Sequence, residues 1–397
     1  MSDDGSVPQV PTRRDTIKYG GAVVGGGLLA GCTGGETEPT NESESESTAN
    51  TANSSYSVTI EPVGEVTFDA VPNTWVAENA SWADMGVALG LEKPSAVVLT
   101  GEYRTWHYED IPGLSTDKSE MVSLWQDGIS KELFLDIDAG VHFIDPNYMI
   151  NLIPNWEQSD VDEMIQQVGP FCGNTSFSTY PWHEDYPYYS LYEATEKVAE
   201  VFQRMDRFEA LETLHDEFIT AIQDRLPPES ERPEIALLSP GSTEPEKFYP
   251  YRLGETTAYK HWHDLGVSDA FDGTEIQSFT SDRGNIDYEP LLDVDPEVLM
   301  LYTDKQWTQS AFEETYLSFL QDHETASELT AVQNEAVYPA GGMYQGPIIN
   351  LSKTERAAKQ LFPTVFDQDE QLYDRQRIFE AEISKVNKET VFATTVN

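Results

Sequence analysis

The feature that most constrains the fold is a long run of helical spacing in mid-chain. Apolar residues recur at Leu191, Ala194, Val198, Val201, Phe202, Met205, Phe208, Leu211, Phe218, Ile222 and Leu226, with no Gly or Pro among them, and Pro227-Pro228 ends the run. A straight helix of that length spans about 54 Å, more than the width of a small domain. The run is therefore predicted to be a rigid strut over residues 191–226, joining two separate halves.

Both halves read as α/β. Ala96-Val97-Val98-Leu99, Val141-His142-Phe143-Ile144, Ile235-Ala236-Leu237-Leu238 and Val298-Leu299-Met300-Leu301 are short apolar runs bounded by polar or Gly/Pro residues, as buried parallel strands are. Helices are predicted between them at Trp82 to Leu89, Ser130 to Ile137, Tyr288 to Val294 and Ile348 to Leu361. One unit occurs twice. Glu132-Leu133-Phe134-Leu135-Asp136-Ile137-Asp138 leads into the strand ending at Ile144, and Glu289-Pro290-Leu291-Leu292-Asp293-Val294-Asp295 into the strand ending at Tyr302. Each Glu falls in the first turn of its helix, where the positive dipole end favours an exposed carboxylate.

Acidic residues number 70 against 24 basic ones, a net charge of −46 spread along the chain. A dispersed acidic surface suits brine, where high salt screens the self-repulsion, and it argues against a nucleic-acid partner. About 340 residues follow the N-terminal segments, enough for two α/β domains of ordinary size. The two cysteines are Cys32 and Cys172. The first belongs to the leader described next, so no internal disulfide is expected and Cys172 reads as a small core residue.

The N-terminus carries export signals. Arg13-Arg14 precedes a short Gly-rich apolar run, and Leu29-Ala30-Gly31-Cys32 follows. The twin arginines resemble a Tat leader and the last four residues a lipobox. Residues 1–32 are thus expected to be a lipoprotein signal, with Cys32 lipidated and the chain held at the extracellular face of the membrane. Residues 33–57, rich in Glu, Ser, Thr and Asn, cannot bury enough apolar surface to order and are expected to form an acidic stalk. The N-terminal lobe is then assigned to 58–190 and the C-terminal lobe to 227–397.

Taken in order, these pieces resemble the class III substrate-binding proteins of ABC importers, the group serving ferric siderophores, haem and cobalamin. The resemblance rests on Val66-Thr67-Phe68 with Val71-Pro72-Asn73, the helix ending Ala88-Leu89-Gly90, both Glu-helix-strand units, the interlobe run, and Ala331 to Tyr338 followed by Ala357 to Phe366. It covers about Val66 to Phe366 and has a halophilic, archaeal-like character. It implies two Rossmann-like lobes joined by a single long helix, a ligand held between them, and Glu132 and Glu289 docking onto the permease and its ATPase. The first unit departs from the family pattern, with Ala139-Gly140 where Pro-Asp is usual. The chain is expected to be a monomer and not an enzyme. Neither a Gly-x-Ser-x-Gly elbow nor a His-Glu-x-x-His helix occurs.

Ligands of α/β sheets meet the loops at the carboxyl ends of strands. That rule selects Gly101 to Tyr108, Asp145 to Met149, Ser239 to Ser242, Phe248 to Arg252, Tyr302 to Asp304 and Gly341 to Tyr344. The candidate ligand-binding residues are Trp82, Tyr103, Arg104, Trp106, Tyr148, Tyr251, Arg252, Tyr302 and Tyr344. Guanidinium groups suit anionic oxygens and aromatic faces suit bulky organic groups. The expected cargo is an anionic metal chelate, a ferric siderophore foremost, gripped by Arg104 and Arg252. Cobalamin, haem, an oxyanion or, in another class, a lipid-anchored hydrolase are the alternatives. No resident cofactor or direct metal site is expected, because His261 and His263 lie on opposite sides of a helix.

Overall fold

The computed structural model describes residues 55–378 apart from 184, 185, 283, 304 and 305. Cys32, the leader and most of the stalk lie outside the described residues. The N-terminal lobe opens with a hairpin of β1 (Tyr56–Ile60) and β2 (Gly64–Phe68). A parallel sheet follows, built from β3 (Trp75–Ala77), β4 (Ala96–Val97), β5 (Val122–Ser123) and β6 (Val141–Phe143) in the order β5-β4-β3-β6. The C-terminal lobe has β7 (Glu234–Pro240), β8 (Phe248–Tyr251), β9 (Ser268–Asp269), β10 (Val298–Tyr302) and β11 (Val337–Gly341). Its main order is β11-β10-β7-β8, with β8 antiparallel and β9 paired beside β7.

Alternation along the strands divides the interior into three clusters. Trp75 and Ala77 of β3, Ile235 and Leu237 of β7, and Val298 and Met300 of β10 all join one cluster that is continuous across both lobes. Val76 faces the outer core of the N-terminal lobe, and Ala236, Leu238, Leu299 and Leu301 face that of the C-terminal lobe. Strands covered on both faces need apolar residues at every position, which is why these runs do not alternate with polar residues. Cys172 lies fully buried in the continuous cluster, and burial pushes its thiol up.

The mid-chain strut is not one helix. Leu191–Phe202 begins with a capping box between Ser190 and Glu193 and ends where Gln203 turns left-handed at φ 53°. A second helix, Met205–Gln223, starts two residues later. The break has a packing reason. Phe202 is tied to the N-terminal lobe by Trp75 and Phe143, with centroids 5.9 and 6.0 Å away, whereas the second helix packs against Lys260–Leu265 and Pro347–Leu361 of the other lobe. A one-residue left-handed turn re-aims the chain, and polar Gln203-Arg204 leaves no mark on the apolar spacing.

The duplicated unit is present in both lobes. Lys131–Ile137 and Tyr288–Val294 are seven residues each, and each is closed by a left-handed aspartate, Asp138 at φ 47° and Asp295 at φ 46°. Glu132 and Glu289 are exposed in the first turns.

The lobes are pinned together at one buried carboxylate. Asp84, on the Ala80–Ala88 helix of the N-terminal lobe, accepts from the backbone N–H of Ile348 (3.0 Å) and Ile349 (2.9 Å) through Oδ2. Tyr108 donates to its Oδ1 at 2.7 Å. It thereby satisfies the free N–H groups at the start of the Pro347–Leu361 helix, at the positive end of its dipole. Gly346 lets the two helices approach, since a Cβ there would sit 2.7 Å from both Asp84 Oδ2 and the Ser81 carbonyl. Asp84→Ala should lower the unfolding free energy by about 3 kcal/mol, because three buried donors lose their acceptor. Gly346→Ala should destabilise as well. Urea denaturation followed by circular dichroism reads both, and a loss below about 1 kcal/mol for Asp84→Ala would show that the pin is dispensable.

Candidate functional site

A cleft of about 440 Å³ opens where the carboxyl ends of the strands from both lobes face each other. The N-terminal lobe contributes Leu99 and Glu102 after β4, and the C-terminal lobe Ser239 near the end of β7, Tyr302 at the end of β10 with Thr303 just after it, and Gly342 to Tyr344 after β11. A narrow floor shares Leu99, Glu102 and Tyr344 with the main cleft and adds Glu78, Asn79, Val98, Tyr148 and Phe177. The strand-end rule therefore picks out loops that line this cleft in both halves.

Aromatic rings make up most of the wall. Phe177 meets Tyr344 edge-on at 5.1 Å, Tyr251 meets Tyr302 at 5.0 Å, and Trp307 meets Tyr316 at 5.6 Å. Burial raises the hydroxyls of Tyr148, Tyr302 and Tyr344 above the ordinary phenol range, so they stay protonated at neutral pH. Two hydroxyls on the C-terminal wall stand out. Tyr302 and Thr303 are 9% and 7% exposed, and neither the Tyr302 hydroxyl nor Thr303 Oγ1 has a hydrogen-bond partner among the described residues.

Beneath the floor, two carboxyl groups share one pocket of hydrogen bonds. Glu78 Oε2 accepts from the Asp145 N–H at 3.1 Å and Thr175 Oγ1 at 3.3 Å. Asp145 Oδ2 accepts from the Thr175 N–H and the Tyr186 hydroxyl. Burial, reinforced by the negative charge of Asp145, pushes the Glu78 carboxyl up to about 8. Glu78 is thus protonated in the folded protein at neutral pH.

Of the nine ligand-binding candidates, Tyr148, Tyr251, Tyr302 and Tyr344 line the cleft or its floor. The others do not. Trp82 is a core residue stacked on Phe143 at 5.3 Å. Tyr103 is fully buried, its hydroxyl 2.8 Å from that of Tyr108. Trp106 stacks on His107, with the Arg356 guanidinium 5.7 Å from its ring. Arg252 turns away to Asp269 at 2.8 Å, to Asp272 and to the Ile276 carbonyl, and so braces its own lobe. Arg104 pairs with Glu102 at 3.2 Å and reaches the cleft only through it. Acids are abundant in this chain, and a loop arginine meets one before it meets a ligand.

Sequence reasoning missed Glu78, Leu99, Phe177, Trp307 and Tyr316. Leu99 was read as the end of a strand, yet β4 stops at Val97 and leaves Leu99 42% exposed at the cleft mouth. Glu78 follows β3, whose three residues are too few to show a period. Among the described residues no group of three His, Cys, Asp or Glu side chains could hold a metal ion. His261 is buried against Gln345, while His263 is exposed and meets the Gly254 carbonyl.

Two lobes with parallel sheets, facing each other across a cleft at their strand ends, define a bilobal α/β fold. The family described as periplasmic binding protein matches residues 149–342. A periplasmic binding protein from Veillonella parvula is similar at 14% identity and TM-score 0.56, covering 78% of this chain and 98% of its own. The triscatecholate siderophore-binding protein of Bacillus subtilis, solved with ferri-bacillibactin, is similar at 12% identity and TM-score 0.51, covering 78% and 98%. A petrobactin-binding protein of Bacillus subtilis gives 13%, 0.51, and 79% and 99% coverage. No curated protein matches the sequence. The chain has the class III periplasmic-binding-protein fold.

The buried floor has a pH signature. Because Glu78 takes its proton at a higher pH in the folded chain than in the unfolded one, it favours folding below its unfolded value and that contribution is lost as pH rises toward about 8. Urea denaturation of the wild type and Glu78→Gln should show the wild type losing stability relative to the variant between pH 5 and about 8. A difference that stays constant across that window would mean that Glu78 is ionised throughout.

Proposed function

We propose that the protein is the solute-binding component of an ABC importer that captures a metal chelate, a ferric siderophore foremost, in the interlobe cleft and delivers it to the permease. The observation that carries this reading is the aromatic cleft at the strand ends of both lobes, roomy enough for an organic complex and furnished with unsatisfied hydroxyls. One of the similar structures is described as a triscatecholate siderophore-binding protein and another as a petrobactin-binding protein.

Glu132 and Glu289 are the docking charges in this reading. They occupy equivalent first-turn positions of the two repeated helices and are both exposed. The single chain crossing through two helices broken at Gln203 suits a modest hinge movement better than wide closure. In this reading Cys32 is lipidated after a Tat-type leader, and the acidic stalk tethers the domain to the outer face of the membrane as a monomer. No helix among the described residues is long and apolar enough to cross a membrane.

Reconstitution with the cognate permease and ATPase tests the proposal. Glu132→Ala with Glu289→Ala should leave chelate affinity intact and reduce binding-protein-stimulated ATP hydrolysis by about tenfold or more, the loss of a charge-paired docking contact. Stimulation that survives both substitutions would remove the docking assignment.

A further inference from the structure

With 70 acidic residues against 24 basic ones, an arginine of this chain readily finds a carboxylate. Arg225 pairs with Glu370 at 2.7 Å, Arg375 with Glu355 at 2.6 Å and Arg104 with Glu102 at 3.2 Å. Arg252 and Arg377 are paired as well, and Arg207 and Arg232 donate to backbone carbonyls. Arg356 does neither. It is partly buried on the Pro347–Leu361 helix, makes no ion pair or hydrogen bond among the described residues, and lies 5.7 Å from the Trp106 ring. Burial holds its guanidinium below the ordinary range, with no acid to offset the cost. Its surroundings are basic, since burial and the nearby Arg356 charge push Lys353 down to about 7.

Arg356 lines a cavity of about 160 Å³ between the edge strand β11, its own helix and the Gln309–Phe312 helix. Trp307 is shared with the interlobe cleft, which places the cavity next to it. The other charged lining residues are Lys359 and Glu313. Glu313 accepts from Gln309 Nε2 at 2.7 Å, and Lys359 stands 3.3 Å from Glu355. Gln360 Nε2 donates to the Pro339 carbonyl at 3.3 Å and Gln368 Nε2 to the Lys359 carbonyl at 3.0 Å, so each amide keeps a second N–H for another acceptor. A partly desolvated guanidinium fork with fixed amides beside it is the chemistry that recognises oxyanions.

We propose that this cavity is a second binding site, for the carboxylate or phosphate group of a small anion, with the Arg356 fork as its main contact and the Gln360 and Gln368 amides beside it. The anion supplies the countercharge that Arg356 lacks among the described residues. The cavity is well under half the volume of the cleft, about 160 against 440 Å³, and admits an anion smaller than a chelate. The site stands whether or not the cleft captures a chelate. The acidic surface repels anions at long range, so the local attraction emerges once salt screens that repulsion.

Isothermal titration of the full chain in about 1 M KCl, with inorganic phosphate and with succinate as probes, tests it. One equivalent of at least one probe should bind saturably, and the tighter of the two tells a phosphate from a carboxylate ligand. Arg356→Gln should weaken that probe by about tenfold or more while the circular dichroism spectrum stays unchanged. Arg377→Gln removes an equal charge from an exposed surface pair and should leave the affinity as it is. Arg356→Lys keeps the charge without the fork and should also bind more weakly than the wild type, which decides the matter if the glutamine variant does not fold. Absence of saturable binding of both probes up to about 10 mM, wild-type affinity in either Arg356 variant, or an equal loss in Arg377→Gln overturns the site.

Discussion

The structure depends on one buried carboxylate. Asp84 has no access to solvent, and it caps the start of the Pro347–Leu361 helix of one lobe while lying on a helix of the other. Burial pushes its carboxyl up to about 7, so hydrogen bonds from Ile349, Tyr108 and Ile348 work against the cost of desolvation. Around it, Gln345 N–H donates to Ser81 Oγ and His107 meets Ser352 across the same seam. The seam fixes how far apart the strand ends stand, and therefore the width of the cleft. Gly346 is the steric half of the arrangement, because any side chain there would enter the Asp84 carboxylate.

On that frame the two lobes repeat one local solution. A seven-residue helix, a left-handed aspartate and a buried parallel strand occur once per lobe. In each case the helix start presents an exposed glutamate and the strand end presents cleft residues. An exposed glutamate and part of the cleft lining thus lie toward opposite ends of the same unit.

Much of this was legible in the residues. The repeated Glu-helix-strand unit was readable because helix N-terminal charge, turn and apolar run follow each other at fixed spacing. The strand-end loops were readable for the same reason, and Tyr148, Tyr251, Tyr302 and Tyr344 fall where that rule puts them. The strut was half readable. Its spacing gave helix correctly, but left-handed Gln203 costs no apolar residue and so is silent in the pattern. Trp82 and Tyr103 misled because an aromatic residue near a strand end fills a core as readily as a cleft.

The sequence by itself determined the fold class, the duplication, the order of elements and the loops from which the site is built, since these follow from local periodicity and turn chemistry. Only the tertiary structure decided which way each charged side chain turns. Arg252 is drawn to Asp269, which folding brings near, and Glu78 comes to line the cleft floor beside Glu102. Pairing of charges depends on distances between residues far apart in the chain, and those distances exist only once the core has closed.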